Sequence, residues 1–176
     1  SVVIFFWDCM MTGFGTKAQT LVWLRPLVKR SEVLDLIYFE VSDWNTDRDK
    51  IVDQIKTKFL GKSLIVRSSA LSEDRSEHSM AGKFDSQLDV NSGDDHSIVT
   101  AVDSVIDSYQ GNPHDQILIQ PMLDYIAVSG VITTHVLDDG APYYVINYDD
   151  ESGKTDTITG GTGVNKTVLI HHNTRL

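Results

Sequence analysis

The chain has 176 residues, of which 41% are hydrophobic and 23% charged. That composition builds a soluble globular domain with a core and excludes an intrinsically disordered chain. A formal net charge of −10 argues against a nucleic-acid partner, whose backbone demands a basic face, but leaves room for a mononucleotide, which needs only a few placed cations.

Cys9 is the only cysteine, so no intrachain disulfide forms, and a reducing, cytoplasmic setting is expected. Residues 2–7 form an apolar run of six residues that ends at Asp8. The run is too short to cross a membrane and lacks the basic start of a secretion signal. It reads as a buried strand or an association surface.

Gly13 to Lys17 reads as a loop. Residues 18–27 form a short helix, with Leu21, Leu24 and Leu27 on one side and Pro26 disturbing its end. A strand is expected over 33–41, rich in apolar and branched residues. The next helix is expected to start at Thr46, with Asp49 completing a capping box, and to carry Ile51, Val52, Ile55, Phe59 and Leu60 on one face as far as Gly61. Residues 63–67 read as a buried strand, 68–82 as a polar loop and 84–90 as a further strand. Asp94 and Asp95 favour a helix N-terminus, and Ile98, Val99, Val102, Val105, Ile106 and Tyr109 follow as a stripe. Strands are expected over 116–122, 127–136, 143–148 and 164–170, with Asp138-Asp139-Gly140 as the sharpest turn. The fold class is α+β with a largely antiparallel sheet and a few amphipathic helices.

Chemistry concentrates in Ile65-Val66-Arg67-Ser68-Ser69-Ala70, then Glu73-Asp74, then Ser79-Met80-Ala81-Gly82. Arg67 ends a strand, so its planar, permanently charged fork is held by a rigid element and suits phosphate oxygens. Ser68 and Ser69 add hydroxyl and backbone donors, and Gly82 lets backbone approach a ligand closely. Taken alone, Arg67 also reads as a structural arginine paired with Glu73 or Asp74.

These stretches resemble the phosphate-gripping segment of the nucleotide-binding, ATP-grasp domain of the phosphoenolpyruvate synthase and pyruvate phosphate dikinase family. Gly15-Thr16-Lys17-Ala18 resembles the family's Gly-Gly-Lys-Gly loop, with Thr16 and Ala18 in place of glycines. Ile119-Gln120-Pro121-Met122-Leu123 resembles the hinge strand beside adenine, and Ser129-Gly130-Val131-Ile132-Thr133-Thr134 the strand after it. The resemblance implies that Lys17 and Arg67 hold ATP phosphates and act as the catalytic cations. Ser68, Ser79, Ala81 and Gly82 would belong to the phosphate grip, and Gln120 and Met122 would lie at the adenine with backbone groups reading its edge. Phosphoryl transfer in such a site runs on positioning and charge neutralisation, toward a histidine or a small acceptor.

The family's domain continues with acidic magnesium ligands and a Gln-x-Arg strand, which the sequence up to Leu176 does not carry; neither does it carry a phosphohistidine motif. The resemblance therefore implies ATP and Mg²⁺ as cofactors with the metal ligands outside this chain, and an incomplete domain that is inactive alone. It divides into a lead-in strand (1–12), a phosphate-gripping part (13–114) and a hinge and hairpin part (115–176). A half-built cleft implies a homodimer or missing C-terminal segments as partner. The alternative is a non-catalytic nucleotide-binding or interaction module.

Other motifs read as ordinary structure. Ser152-Gly153-Lys154-Thr155 imitates the end of a P-loop, but Tyr148 stands where the first glycine belongs, so it reads as a turn. Asp149-Asp150-Glu151 reads as a solvated acidic turn. His78, His171 and His172 have no ligand partner at metal spacing and read as solvated or tag-like, so no metal ligand is assigned.

Overall fold

The computed structural model describes residues 15–70, 86–108, 112–155, 158 and 166–174, together with the backbone of residues 6 and 7. The architecture is α+β, and its strands pair antiparallel except for one short parallel contact. Two compact units emerge, Phe14–Met122 and a second made of Ser1–Gly13 with Leu123–Leu176.

The first unit carries α1 (Lys17–Leu24), β2 (Ile37–Glu40), α2 (Val41–Lys58), β3 (Ser63–Ser69), β4 (Ser86–Asn91), α3 (Asp95–Asp107) and β5 (Gln116–Pro121); β1 (Phe6–Trp7) belongs to the second unit. Its sheet runs β2-β5-β3-β4, antiparallel throughout. The strand alternation of β3 sends Leu64 and Val66 into a core shared with Trp44, Ile55 and Phe59 of the α2 region, Ile98, Val102 and Val105 of α3, and Ile117 and Ile119 of β5. A small second cluster, Ala18, Leu36 and Leu118, packs α1 on the opposite face. The stretch 116–121, expected to open the second part, is thus an inner strand of the first unit's sheet.

Helix α2 starts five residues before the expected cap at Thr46, directly after β2. Its start is tied by the Glu40 amide, which donates to the Asp43 carboxylate at 3.0 Å. Asp47 has non-helical angles (φ −130°, ψ 40°) and kinks the helix. The Thr46–Asp49 pattern therefore marks a bend rather than a start, and the Thr46 hydroxyl turns back to the Ser42 carbonyl at 2.9 Å. Before the kink, Trp44 stacks on Phe39 at 5.5 Å and donates its indole N–H to Asp103 of α3 at 2.8 Å. Helix α3 opens as expected, with Asp94 as N-cap accepting from the His96 amide at 3.1 Å.

The second unit is a sheet ordered β1-β6-β7-β8, with β6 at Ser129–Thr133, β7 at Tyr143–Asp149 and β8 at Lys166–His171. Phe6–Trp7 joins β6 as a parallel strand. The turn between β6 and β7 is built on Gly140, whose φ of +71° suits glycine, with its amide on the Val136 carbonyl at 2.9 Å. Asp139 accepts the Ala141 amide at 2.9 Å in the same turn.

Candidate functional site

Of the residues singled out in the sequence, Arg67 and Gln120 share one face of the first unit's sheet, whereas Ser68 alternates to the core face. Alternation along β3 puts Ile65, Arg67 and Ser69 opposite the helical core face that takes Leu64 and Val66. On β5 the same face takes Gln116, Leu118 and Gln120, because Ile117 and Ile119 are in the core. The register sets Arg67 beside Leu118, Ile65 beside Gln120, and Ser69 beside Gln116. Arg67 and Gln120 are therefore diagonal neighbours on adjacent strands. Arg67 is half-buried and Gln120 is buried.

Helix α1 enters this face by its N-terminus. Lys17 is its first residue, and the Lys17 Nζ donates to the Ser68 carbonyl at 3.4 Å, across 51 positions of sequence. A dense polar network sets that placement. Thr16 is the N-cap: its Oγ1 accepts the Gln19 amide at 3.3 Å, and the Gln19 Oε1 accepts the Thr16 amide at 3.0 Å. The same Thr16 hydroxyl donates to the Gln116 Oε1 at 2.5 Å. The Ser69 Oγ accepts the Ala18 amide at 2.9 Å. Thr16, Ser69 and Gln116 are all buried. Gly15 lacks a side chain for a steric reason, since a Cβ there would collide with the Gln19 carboxamide that closes the capping box. Thr16 and Ala18, which replace glycines in the loop resemblance, are structural: one caps and tethers α1, the other packs against Leu118.

Met122 continues β5 and gives its amide to the Ser63 carbonyl at 2.8 Å. That N–H belongs to the sheet ladder and is not the group that reads a ligand's edge. Ser79, Ala81 and Gly82 lie outside the described residues, as do Glu73 and Asp74.

Residues 42–113 match the family described as pyruvate phosphate dikinase, AMP/ATP-binding domain. Over that stretch, the chain is similar to the nucleotide-binding domain of pyruvate phosphate dikinase. A comparison with curated proteins finds no match.

The pyruvate phosphate dikinase match covers Arg67, Ser68, Ser79, Ala81 and Gly82, but not Lys17, Gln120 or Met122. The latter three join it through the fold, on the helix and strand that flank β3. Among the described residues, no three His, Cys, Asp or Glu side chains gather as a metal set. A phosphate-bridged magnesium ion needs only one or two protein carboxylates.

The remaining motifs settle as structure in the second unit. The segment 152–155 is a turn, with Gly153 at φ +67° and the Lys154 carbonyl accepting from the Ser129 hydroxyl at 2.6 Å. Asp149, expected to be solvated, is buried: one carboxylate oxygen accepts the amides of Glu151 at 2.9 Å and Ser152 at 3.0 Å, and the other accepts the Ser152 hydroxyl. An Asx turn demands that acceptor, a signal legible in Asp149-x-x-Ser152 but outweighed by the acidic run. Asp150 and Glu151 pair with Lys166 at 2.6 and 3.1 Å, and hydrogen bonds to these carboxylates, Asp150 first, push the lysine well above its ordinary range. His171 and His172 are not tag-like. His171 meets Tyr143 edge-on at 5.0 Å, and the His172 ring lies 4.6 Å from that of Tyr144, with its Nε2 on the Thr134 carbonyl at 2.6 Å.

Proposed function

We propose that this chain is the ATP-binding part of a phosphotransferase related to phosphoenolpyruvate synthase and pyruvate phosphate dikinase. Lys17 and Arg67 would hold the ATP phosphates, Ser68 would line the grip, and Ser79, Ala81 and Gly82 would close over them. Adenine would lie at the end of β5, read by the Gln120 side chain and by the carbonyl and side chain of Met122, since the Met122 amide is engaged. The acidic magnesium ligands and the phosphoryl acceptor would come from outside the described residues. One observation supports this above the others: α1 delivers the Lys17 ammonium to the Ser68 carbonyl, one residue beyond Arg67 on β3. Two cations on rigid elements, facing the same side as Gln120, suit a triphosphate with its base alongside. The reading carries a cytoplasmic setting and a partner for the second unit, either a second copy or further segments.

Calorimetric titration of MgATP into this chain and into an Arg67→Ala variant tests it. The parent should give saturable heat, and the variant should bind roughly 10- to 100-fold more weakly, the scale of a charge-assisted contact. No heat from the parent, or equal affinity in the variant, overturns the reading. The alternative is a non-catalytic nucleotide-binding module. It expects nucleotide affinity to be the same with magnesium and with a chelator.

A further inference from the structure

We propose that Thr16, Ser69 and Gln116 form a buried polar latch whose task is to position Lys17, and that the latch occupies the Ala18 and Gln19 amides at the start of α1. The phosphate-binding half of this statement rests on the nucleotide reading above.

The geometry is specific. Three buried side chains from three elements meet where α1 enters the sheet: Thr16 before α1, Ser69 at the end of β3 and Gln116 at the start of β5. Each bond is cross-element or capping. Thr16 Oγ1 donates to Gln116 Oε1 at 2.5 Å and accepts from the Gln19 amide at 3.3 Å. Ser69 Oγ accepts the Ala18 amide at 2.9 Å. Two of the amides that a helix N-terminus offers to an anion, those of Ala18 and Gln19, are thereby taken by the protein's own side chains. A glycine loop binds phosphate through its backbone. Here threonine and alanine stand at two of those positions, the Ala18 and Gln19 amides are turned inward, and the residue that the latch fixes beside them is Lys17. Lysine is a flexible point charge with high rotamer entropy. Pinning its Cα on a helix locked to β3 and β5, with Nζ on the Ser68 carbonyl at 3.4 Å, removes much of that entropy before a ligand arrives. Thr16, Ser69 and Gln116 are positioning residues, since none is argued to touch the nucleotide.

The test has one arm without nucleotide and one with it. In the first, the rate of lysine acylation is mapped by mass for Lys17, with exposed Lys50 as internal reference, in the parent, Gln116→Leu, Thr16→Val and Thr16→Ser. The latch expects Lys17 labelling to rise several-fold relative to Lys50 in Gln116→Leu and Thr16→Val, and to stay at the parent rate in Thr16→Ser, which keeps the hydroxyl. In the second, MgATP and adenosine are titrated into the parent and Gln116→Leu. The expectation is an affinity loss of about tenfold for MgATP with adenosine unchanged, the mark of a displaced cation rather than a damaged pocket. Unchanged relative labelling of Lys17 in both disrupting variants overturns the latch, whatever their melting temperatures do. Altered labelling in a parent that gives no MgATP heat keeps the latch and removes the nucleotide reading. Equal loss for MgATP and adenosine overturns the positioning role and leaves a structural one.

Discussion

The two units solve the same problem with different means. In Phe14–Met122, one sheet face is covered by α2 and α3, and Trp44, Ile55, Phe59, Ile98, Val102 and Val105 are excluded from solvent or nearly so. In Leu123–Leu176, the buried residues among those described are Ser129, Thr133 and Asp149, all polar. Val168 and Leu169 are neighbours on β8, so they face opposite sides of the sheet, and they are 40% and 58% exposed. Among the described residues of this sheet no apolar side chain is fully buried, and ladder hydrogen bonds, cross-strand pairs and turn chemistry join its strands. The first unit carries the candidate site on a rigid platform; in the second, Val168 and Leu169 of β8 are exposed and suit a further layer.

The largest expected effect lies in the first unit. Phe59→Ala removes a fully buried ring and should cost about 3–5 kcal/mol in urea unfolding followed by the tryptophan signal. Leu169→Ala in β8 should stay within about 0.5 kcal/mol. Comparable losses from the two would mean that β8 is covered in solution, and the contrast would fail. Amide exchange sharpens the same point without mutation: β3 and β5 should be protected to the level of global unfolding, whereas β7 and β8 should exchange through local opening.

A smaller effect is expected where polar chemistry replaces a core. Asp149→Ala strips two amides and one hydroxyl of their acceptor at a buried turn and should cost about 1–3 kcal/mol in the second unit. The amides of Glu151 and Ser152 should lose protection first. If they keep it, the turn is set by Gly153 and the Ser129–Lys154 bond instead.

What the sequence made legible follows the range of the forces. Helix α3 is readable because Asp94 and the stripe of Ile98, Val102 and Val105 lie within a few turns of one another. The start of α2 is not, because a local capping pattern at Thr46 is overridden by the anchorage of Val41 and Ser42, whose amides bond the carbonyls of Asp115 and Pro113. The site divides in the same way. Arg67, Ser68 and the Ser79 to Gly82 stretch lie in one continuous motif, inside the family match. The Thr16–Gln116 bond joins residues 100 positions apart. Only half of it has a local signal, the Thr16-x-x-Gln19 capping box, which reads as loop while Gly15 and Lys17 suggest a phosphate grip. Strand alternation marks Gln116, Leu118 and Gln120 as sharing a face, but not which face receives α1.

The smallest effect concerns the way α1 leaves the sheet. Arg25, its C-cap, pairs with Asp35 just before β2, and the hydrogen bond from that guanidinium holds the Asp35 carboxyl below its ordinary value. A folded-state pKa lower than the unfolded one means that the pair stabilises fully above the unfolded carboxylate range and that this contribution fades as pH falls through the folded value. Both side chains are about half exposed, at 50% and 48%, so screening reduces the gain to a few tenths of a kcal/mol. Asp35→Asn should therefore lower stability at pH 7 by that small amount and converge with the parent as pH falls below the folded-state value. Added salt should shrink the gap at pH 7. A gap that persists at low pH would place the contribution in packing of the Arg25 stem rather than in its charge, and would tie α1 to the first unit by apolar contact alone.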